Sequence, residues 1–109
     1  MQLKERLYLL SERLSEGFRP CQNRDVTLYQ TEEQVTLYDP QTEQVHLLDP
    51  TAATVWQLCN GVRGVQDIVG KVADSSGVAP DMVAEDVVEA LERFQQTQLV
   101  LDQAKSSGW

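Results

Sequence analysis

The sequence predicts an α+β fold in which a small antiparallel sheet comes before three helices, and two observations predict it. Residues 26–48 alternate apolar and polar side chains with a period of two, as half-buried strands do. From Pro50 onward the apolar residues recur every three or four positions, as on amphipathic helices. Because the strands form one run and the helices another, a sheet beside helices is favoured over a doubly wound fold.

The first segment, residues 1–17, is expected to be an extra N-terminal amphipathic helix that ends at Gly17. Its apolar positions share helical spacing: Leu3, Leu7, Leu10 and Leu14. Two heptads are too few to predict a coiled coil. Three interpretations therefore stay open for this helix: it packs on its own domain, it joins two copies as a homodimer, or it contacts a partner enzyme.

Three short strands are expected next, at residues 25–30, 34–38 and 44–48. The segments between them are polar and of hairpin length, and Pro40 after Asp39 suits a turn. Consecutive strands joined by such short connections form an antiparallel meander. A meander leaves an outer strand with unpaired backbone groups unless another element covers it.

In the third strand, Val45 and Leu47 are expected to face the core, and His46 is expected to face outward. Replacing Val45 or Leu47 should then damage folding. A proline at His46 should instead remove a backbone donor from the open edge of the sheet.

The first of the three helices is expected to begin at Pro50, with Asp49 as its N-cap. It is strongly apolar around Trp56, and residues 60–61, Asn-Gly, favour its end because both tolerate a left-handed backbone. We expect this helix to be largely buried.

The second and third helices are expected at residues 65–75 and 80–97, with Gly77 just beyond the end of the second. Residues 98–102 are expected to form a last strand. The complete order of strands and helices is winged-helix-like.

A chain of 109 residues that is 41% hydrophobic predicts one domain with one core. We expect an N-terminal helix at residues 1–17, the folded domain at residues 18–102 and a fraying tail at residues 103–109. No internal repeat and no second domain is apparent in the sequence.

The net charge of −8 disfavours nucleic acid and anionic membranes as partners, because both are bound through Lys and Arg. No run approaches the roughly 20 apolar residues that span a bilayer. The apolar run at residues 7–10 is too short for a signal peptide. We therefore expect a cytosolic protein.

The inventory of reactive side chains predicts no enzyme, no metal site and no cofactor. Cys21 and Cys59 lie far apart in sequence and His46 is the single histidine, so neither a zinc site nor a catalytic triad is predicted. The glycines match no phosphate-binding loop. Cys59 lies in an apolar helical pattern and is expected to pack in the core.

Carboxylates are frequent on the third predicted helix, at Glu85, Asp86 and Glu89. Their spacing favours a solvated helix face, with Glu89 and Arg93 as an i,i+4 pair. The alternative is an acidic surface that meets basic side chains of a partner.

Five segments, taken in order, resemble the PqqD-like peptide chaperones, also called RiPP recognition elements. They are VTLYDP (35–40), QVHLLD (44–49), ATVWQLCNG (53–61), VQDIV (65–69) and VAEDV (83–87). No single segment is decisive, and the specificity comes from their order. The resemblance implies a three-stranded sheet backed by three helices, in which the leader segment of a precursor peptide pairs with the third strand and lies against the third helix.

Such a module performs no bond chemistry itself, and it holds the leader for a separate modifying enzyme. In this family that enzyme is a radical SAM protein, a cyclodehydratase or a maturation protease. Carried onto this sequence, the resemblance implies peptide-binding residues on the third strand and the third helix: Gln44, Val45, His46, Leu47, Leu48, Val83, Asp86, Val87, Ala90 and Phe94.

Two functions of other classes stay open. A winged-helix DNA-binding regulator has the same skeleton, but its recognition helix carries Arg or Lys, whereas the third helix here is mostly acidic. A dimeric structural adaptor subunit would depend on the N-terminal helix instead.

Overall fold

A computed structural model describes residues 14 and 17–103 of the chain. Most of the predicted N-terminal helix and of the predicted tail lies outside these residues. Within them the chain forms five strands and three helices: β1 (Pro20–Gln22), β2 (Thr27–Gln30), β3 (Val35–Asp39), β4 (Gln44–Leu48), α1 (Pro50–Leu58), α2 (Val65–Ser76), α3 (Pro80–Gln96) and β5 (Val100–Asp102).

The three predicted strands β2, β3 and β4 form one antiparallel sheet in that order. Leu37 at the centre of β3 lies opposite Leu28 of β2 and His46 of β4. The predicted meander is therefore confirmed, and β4 is an edge strand of this sheet.

A second sheet of two strands pairs β1 with β5, and the sequence patterns did not predict β1. Its three residues are too few to show an alternating pattern, and their partners lie about 80 positions further along the chain. Strand β5 starts at Val100 rather than at the predicted position 98, because Gln98 has a positive φ of 60° and turns the chain there.

The start of α1 and the end of α2 follow the predicted capping residues, whereas α1 ends at Leu58 with Cys59 as its C-cap, before the predicted Asn-Gly at residues 60–61. The carboxylate of Asp49 accepts the N–H of Ala52 at 2.7 Å, and Pro50 occupies the first turn of α1. Gly77 ends α2 with a φ of 69°, a conformation that glycine adopts without steric cost. No helix in the described part of the chain is long and apolar enough to cross a bilayer.

The core lies between the inner face of the three-stranded sheet and the helices, and α3 packs on both α1 and α2. The indole Nε1–H of Trp56 on α1 donates to the carbonyl of Leu99 at 3.1 Å, which ties α1 to the segment that leads into β5. Leu14 and Phe18 are also buried in this core. The residues just before β1 therefore pack on the same domain.

Candidate functional site

The hairpin between β2 and β3 fixes which backbone groups of β3 face which neighbour. The N–H of Thr31 donates to the carbonyl of Gln34 at 2.8 Å. In an antiparallel pair, hydrogen-bonded and non-hydrogen-bonded residue pairs alternate. Tyr29 and Thr36 lie two positions further from the turn and therefore form a hydrogen-bonded pair. The next residue of β3, Leu37, consequently directs its N–H and C=O to β4.

The same alternation leaves two residues of β4 with backbone groups on the open edge. His46 lies opposite Leu37 and therefore pairs with β3, so Val45 and Leu47 direct their N–H and C=O away from the sheet. A hydrogen bond supports this orientation, since the guanidinium of Arg93 donates to the carbonyl of Leu47 at 3.2 Å. The expectation that His46 supplies an edge donor is wrong, because its N–H faces the inner ladder.

The side chains of β4 point opposite to the prediction. Val45 is 60% exposed and Leu47 is 57% exposed, whereas His46 is half-buried and Leu48 is buried. The predicted inward orientation of Val45 and Leu47 is therefore wrong. An alternating pattern shows which residues share a face, but not which of the two faces meets the core. In β4 the buried face is the one that carries Leu48.

The outer face of the sheet is consequently apolar. Tyr29 on β2 is 58% exposed, and it lies on the same face as Val45 and Leu47. Thr36 lies opposite Leu47, and Tyr38 lies opposite Val45 and is half-buried. We name the exposed side chains Tyr29, Val45 and Leu47 the outer patch.

On the other face, a cavity of about 260 Å³ opens between the start of α1 and the side of α3. It is lined by small and charged side chains: Asp49, Thr51, Ala52, Asp86, Glu89, Ala90 and Arg93. Because Arg93 also reaches the carbonyl of Leu47, the cavity adjoins the open edge of β4. We call this feature the groove.

Only some of the residues expected on the helical wall reach the groove. Asp86 and Ala90 line it. Val83, Val87 and Phe94 are buried in the core instead, and Val87 and Phe94 are 0% exposed. The two sets lie side by side along α3, so helical periodicity did not separate the groove side from the core side.

The model of the family described as Coenzyme PQQ synthesis protein D (PqqD) matches residues 34–100, which is more than half of the chain. The chain belongs to the PqqD family. No curated protein matches the sequence.

Two solved structures share the fold. The chain is similar to TbiB1, described in complex with the TbiA(beta) leader peptide, at 20% identity and a TM-score of 0.62, over 73% of this chain and 93% of that one. It is also similar to the PqqD truncation of Methylobacterium extorquens PqqCD, described as a stand-alone RiPP recognition element. There the identity is 23% and the TM-score 0.61, over 75% of this chain and 87% of that one. These likenesses confirm the predicted α+β fold.

Several groove residues of this PqqD-family chain were not predicted from the sequence. Asp49 was predicted only as a helix cap and Arg93 only as a pairing partner of Glu89, while Thr51 and Ala52 were assigned to no site. One sequence signal was present: α1 follows β4 without a loop, so its first turn has to lie at the end of the edge strand.

The two cysteines of this PqqD-family chain lie near each other, because the N–H of Gln22 donates to the carbonyl of Cys59 at 3.1 Å. Cys59 is 2% exposed, and its thiol donates to the carbonyl of Val55 at 3.2 Å. Burial, with a smaller contribution from Cys21, raises the pKa of Cys59 to about 12. The prediction that Cys59 packs in the core is confirmed. In residues 14 and 17–103, acidic, histidine and cysteine side chains form no cluster suited to a metal ion.

Proposed function

We propose that this protein binds the leader segment of a ribosomally made precursor peptide by accepting it as an additional strand on the open edge of β4. One observation carries the proposal: among residues 14 and 17–103, no strand pairs with the outer edge of β4, and this edge lies directly beside the groove. An exposed edge offers backbone donors and acceptors to any extended chain, and adjacent pockets select its side chains.

The backbone groups that meet the peptide are those of Val45 and Leu47. Their two N–H groups and two carbonyls supply up to four ladder hydrogen bonds. The carbonyl of Leu47 already accepts from Arg93, but a carbonyl oxygen has two lone pairs. Arg93 therefore either shares this acceptor with a peptide N–H or releases it.

The proposed peptide-binding site keeps all five β4 residues, Gln44–Leu48, and takes Asp86 and Ala90 from α3. The predicted residues Val83, Val87 and Phe94 contribute from beneath, by fixing α3 in place. The fold likeness to TbiB1 and to the Methylobacterium extorquens recognition element supports a binding role of this kind.

In this proposal the protein is a binding module and not an enzyme. Holding the leader keeps the rest of the precursor close to a separate modifying enzyme at high effective concentration. Candidate enzyme classes are radical SAM proteins, cyclodehydratases and maturation proteases. The module acts in the cytosol, where ribosomal precursors are made.

We further propose that residues 18–102 form the peptide-binding domain, preceded by the amphipathic segment 1–17 and followed by the tail 103–109. The family match at residues 34–100 and the pairing of β1 with β5 support these bounds. Residues 1–13 lie outside the described part of the chain, and a homodimer contact through them stays a proposal.

The proposal is tested by amide hydrogen exchange with a candidate leader peptide, taken from any short precursor gene that neighbours the gene of this protein. Binding should slow exchange at Val45 and Leu47, because their N–H groups then enter a ladder. His46 is the control within the same strand, since its N–H is already paired with β3. Isothermal titration should give a micromolar or tighter Kd. A bound peptide that leaves Val45 and Leu47 unprotected contradicts strand addition.

A further inference from the structure

The pleat of the existing sheet fixes the side-chain directions of any strand added to β4. Residues directly opposite each other on neighbouring strands point to the same face. Peptide residues opposite Gln44, His46 or Leu48 therefore point to the helix side, where the groove lies. Peptide residues opposite Val45 or Leu47 point to the outer face.

The groove is acidic. Three carboxylates line it, those of Asp49, Asp86 and Glu89, against the single guanidinium of Arg93. That guanidinium is directed at the carbonyl of Leu47. A side chain entering from the peptide therefore meets an excess of negative charge, which favours a cation and repels a carboxylate.

The size of the groove residues also suits a long basic side chain. Ala52 and Ala90, which also line the groove, have only methyl side chains. The aliphatic stem of a Lys or Arg can cover such methyl groups while its charged end stays among the acidic side chains and water. A basic side chain therefore matches both the apolar and the charged parts of the groove.

The outer patch favours the opposite chemistry at the alternate peptide positions. Val45 and Leu47 are more than half exposed and flank the place of the added strand. Apolar peptide side chains there remove Val45 and Leu47 from water, and cross-strand apolar pairs stabilise a sheet. The two faces of β4 therefore favour different side chains in the bound peptide.

We propose that the leader recognised by this protein carries a Lys or Arg that points into the groove, with apolar residues at the two flanking positions that point to the outer patch. This inference rests on the proposed strand addition and deepens it, because it names the class of peptide. Its signature is an apolar–basic–apolar pattern with a period of two.

The experiment pans a phage-displayed library of short random peptides against the full chain at low ionic strength. Enriched peptides should show the apolar–basic–apolar pattern. A synthetic copy of one of them should bind the Asp86→Asn, Glu89→Gln double variant about two- to fivefold more weakly, because the peptide cation then loses two of the three carboxylates that line the groove. Added salt should weaken binding to the wild-type protein more than to the double variant.

The matched control is Asp74→Asn on α2, which removes an exposed carboxylate that does not line the groove. This variant should bind like the wild type. Thermal melts establish that all variants are folded, as expected because Asp86 and Glu89 are both exposed.

The possible results separate the two proposals. Enriched peptides without a basic preference, or an unchanged affinity in the double variant, overturn the inference and leave strand addition standing. A library from which the folded protein enriches no peptide overturns both.

Discussion

At the scale of single residues, Leu47 and Leu37 show how adjacent strands use the same residue type differently. Leu47 is 57% exposed in the outer patch, and its carbonyl meets Arg93. Leu37 is 0% exposed and lies at the centre of the inner face. Leu47 is thus placed to meet a partner, whereas Leu37 holds the sheet against the helices.

Replacing these two leucines should have very different effects on folding. Leu47→Thr should change the free energy of unfolding by less than about 1 kcal/mol, because little burial is lost and threonine suits a strand. Leu37→Ala should cost about 2–5 kcal/mol, because it leaves a cavity in the core. Urea denaturation measures both, and equal losses would contradict the assigned orientation of β4.

The pKa of Cys59 leads to a second prediction at this scale. Burial raises it from 9.0 to about 12, so at pH 8 the folded protein holds this thiol almost entirely protonated. A thiol-specific reagent should therefore modify Cys59 only after denaturation, while half-buried Cys21 reacts in the folded protein. Peptide mapping of the modified chain identifies the residue. Fast modification of Cys59 in the folded state would contradict its burial.

Within the single element β4, the backbone N–H and C=O groups of alternate residues face different partners. Gln44, His46 and Leu48 bond to β3, while Val45 and Leu47 keep their groups for the open edge. The division depends only on the bonding alternation of the ladder. A substitution at one position therefore tests folding, and the same substitution one position away tests binding.

Proline at these two positions should separate folding from binding. Val45→Pro removes an edge N–H, so the protein should stay folded and bind its peptide more weakly. His46→Pro removes a donor from the β3 ladder and should cost about 1–3 kcal/mol of stability by leaving a carbonyl unpaired. Circular dichroism and isothermal titration measure the two effects. A folded Val45→Pro variant with unchanged affinity would count against strand addition.

At the scale of the whole molecule, β1 and β5 close the domain by joining its two ends. Pro20 lies opposite Asp102, and the carboxylate of Asp102 accepts the N–H of Arg19 at 3.1 Å. Leu14 extends this closure, because it is 6% exposed and packs into the same core. The segment before β1 therefore contributes to stability through at least one residue.

A chain trimmed to residues 18–102 should fold and still bind peptide, since β4 and the groove are retained. Loss of the buried Leu14 should lower the free energy of unfolding by about 1.5–3 kcal/mol. Leu14→Ala in the full chain is the matched control. A trimmed protein that is folded but no longer binds peptide would place residues 1–17 in the binding site, and size-exclusion chromatography tests whether they also hold a dimer.

Local chemistry made much of this structure predictable from the sequence. The Asp49–Pro50 start of α1, the end of α2 before Gly77 and the three strands depend on capping, backbone freedom and alternation, which act between near neighbours. The resemblance of five sequence segments to the PqqD-like family is confirmed by the family match.

The tertiary structure alone decided which faces meet. Alternation placed Val45 and Leu47 on one face of β4, and helical spacing placed Asp86 beside the apolar residues of α3. Neither pattern indicates which side of its element meets the core. Strand β1 could not be predicted from local patterns, because it forms only by pairing with β5 at the far end of the domain. Burial is a property of the packed molecule, so the outer patch and the groove exist only once the sheet and helices have packed.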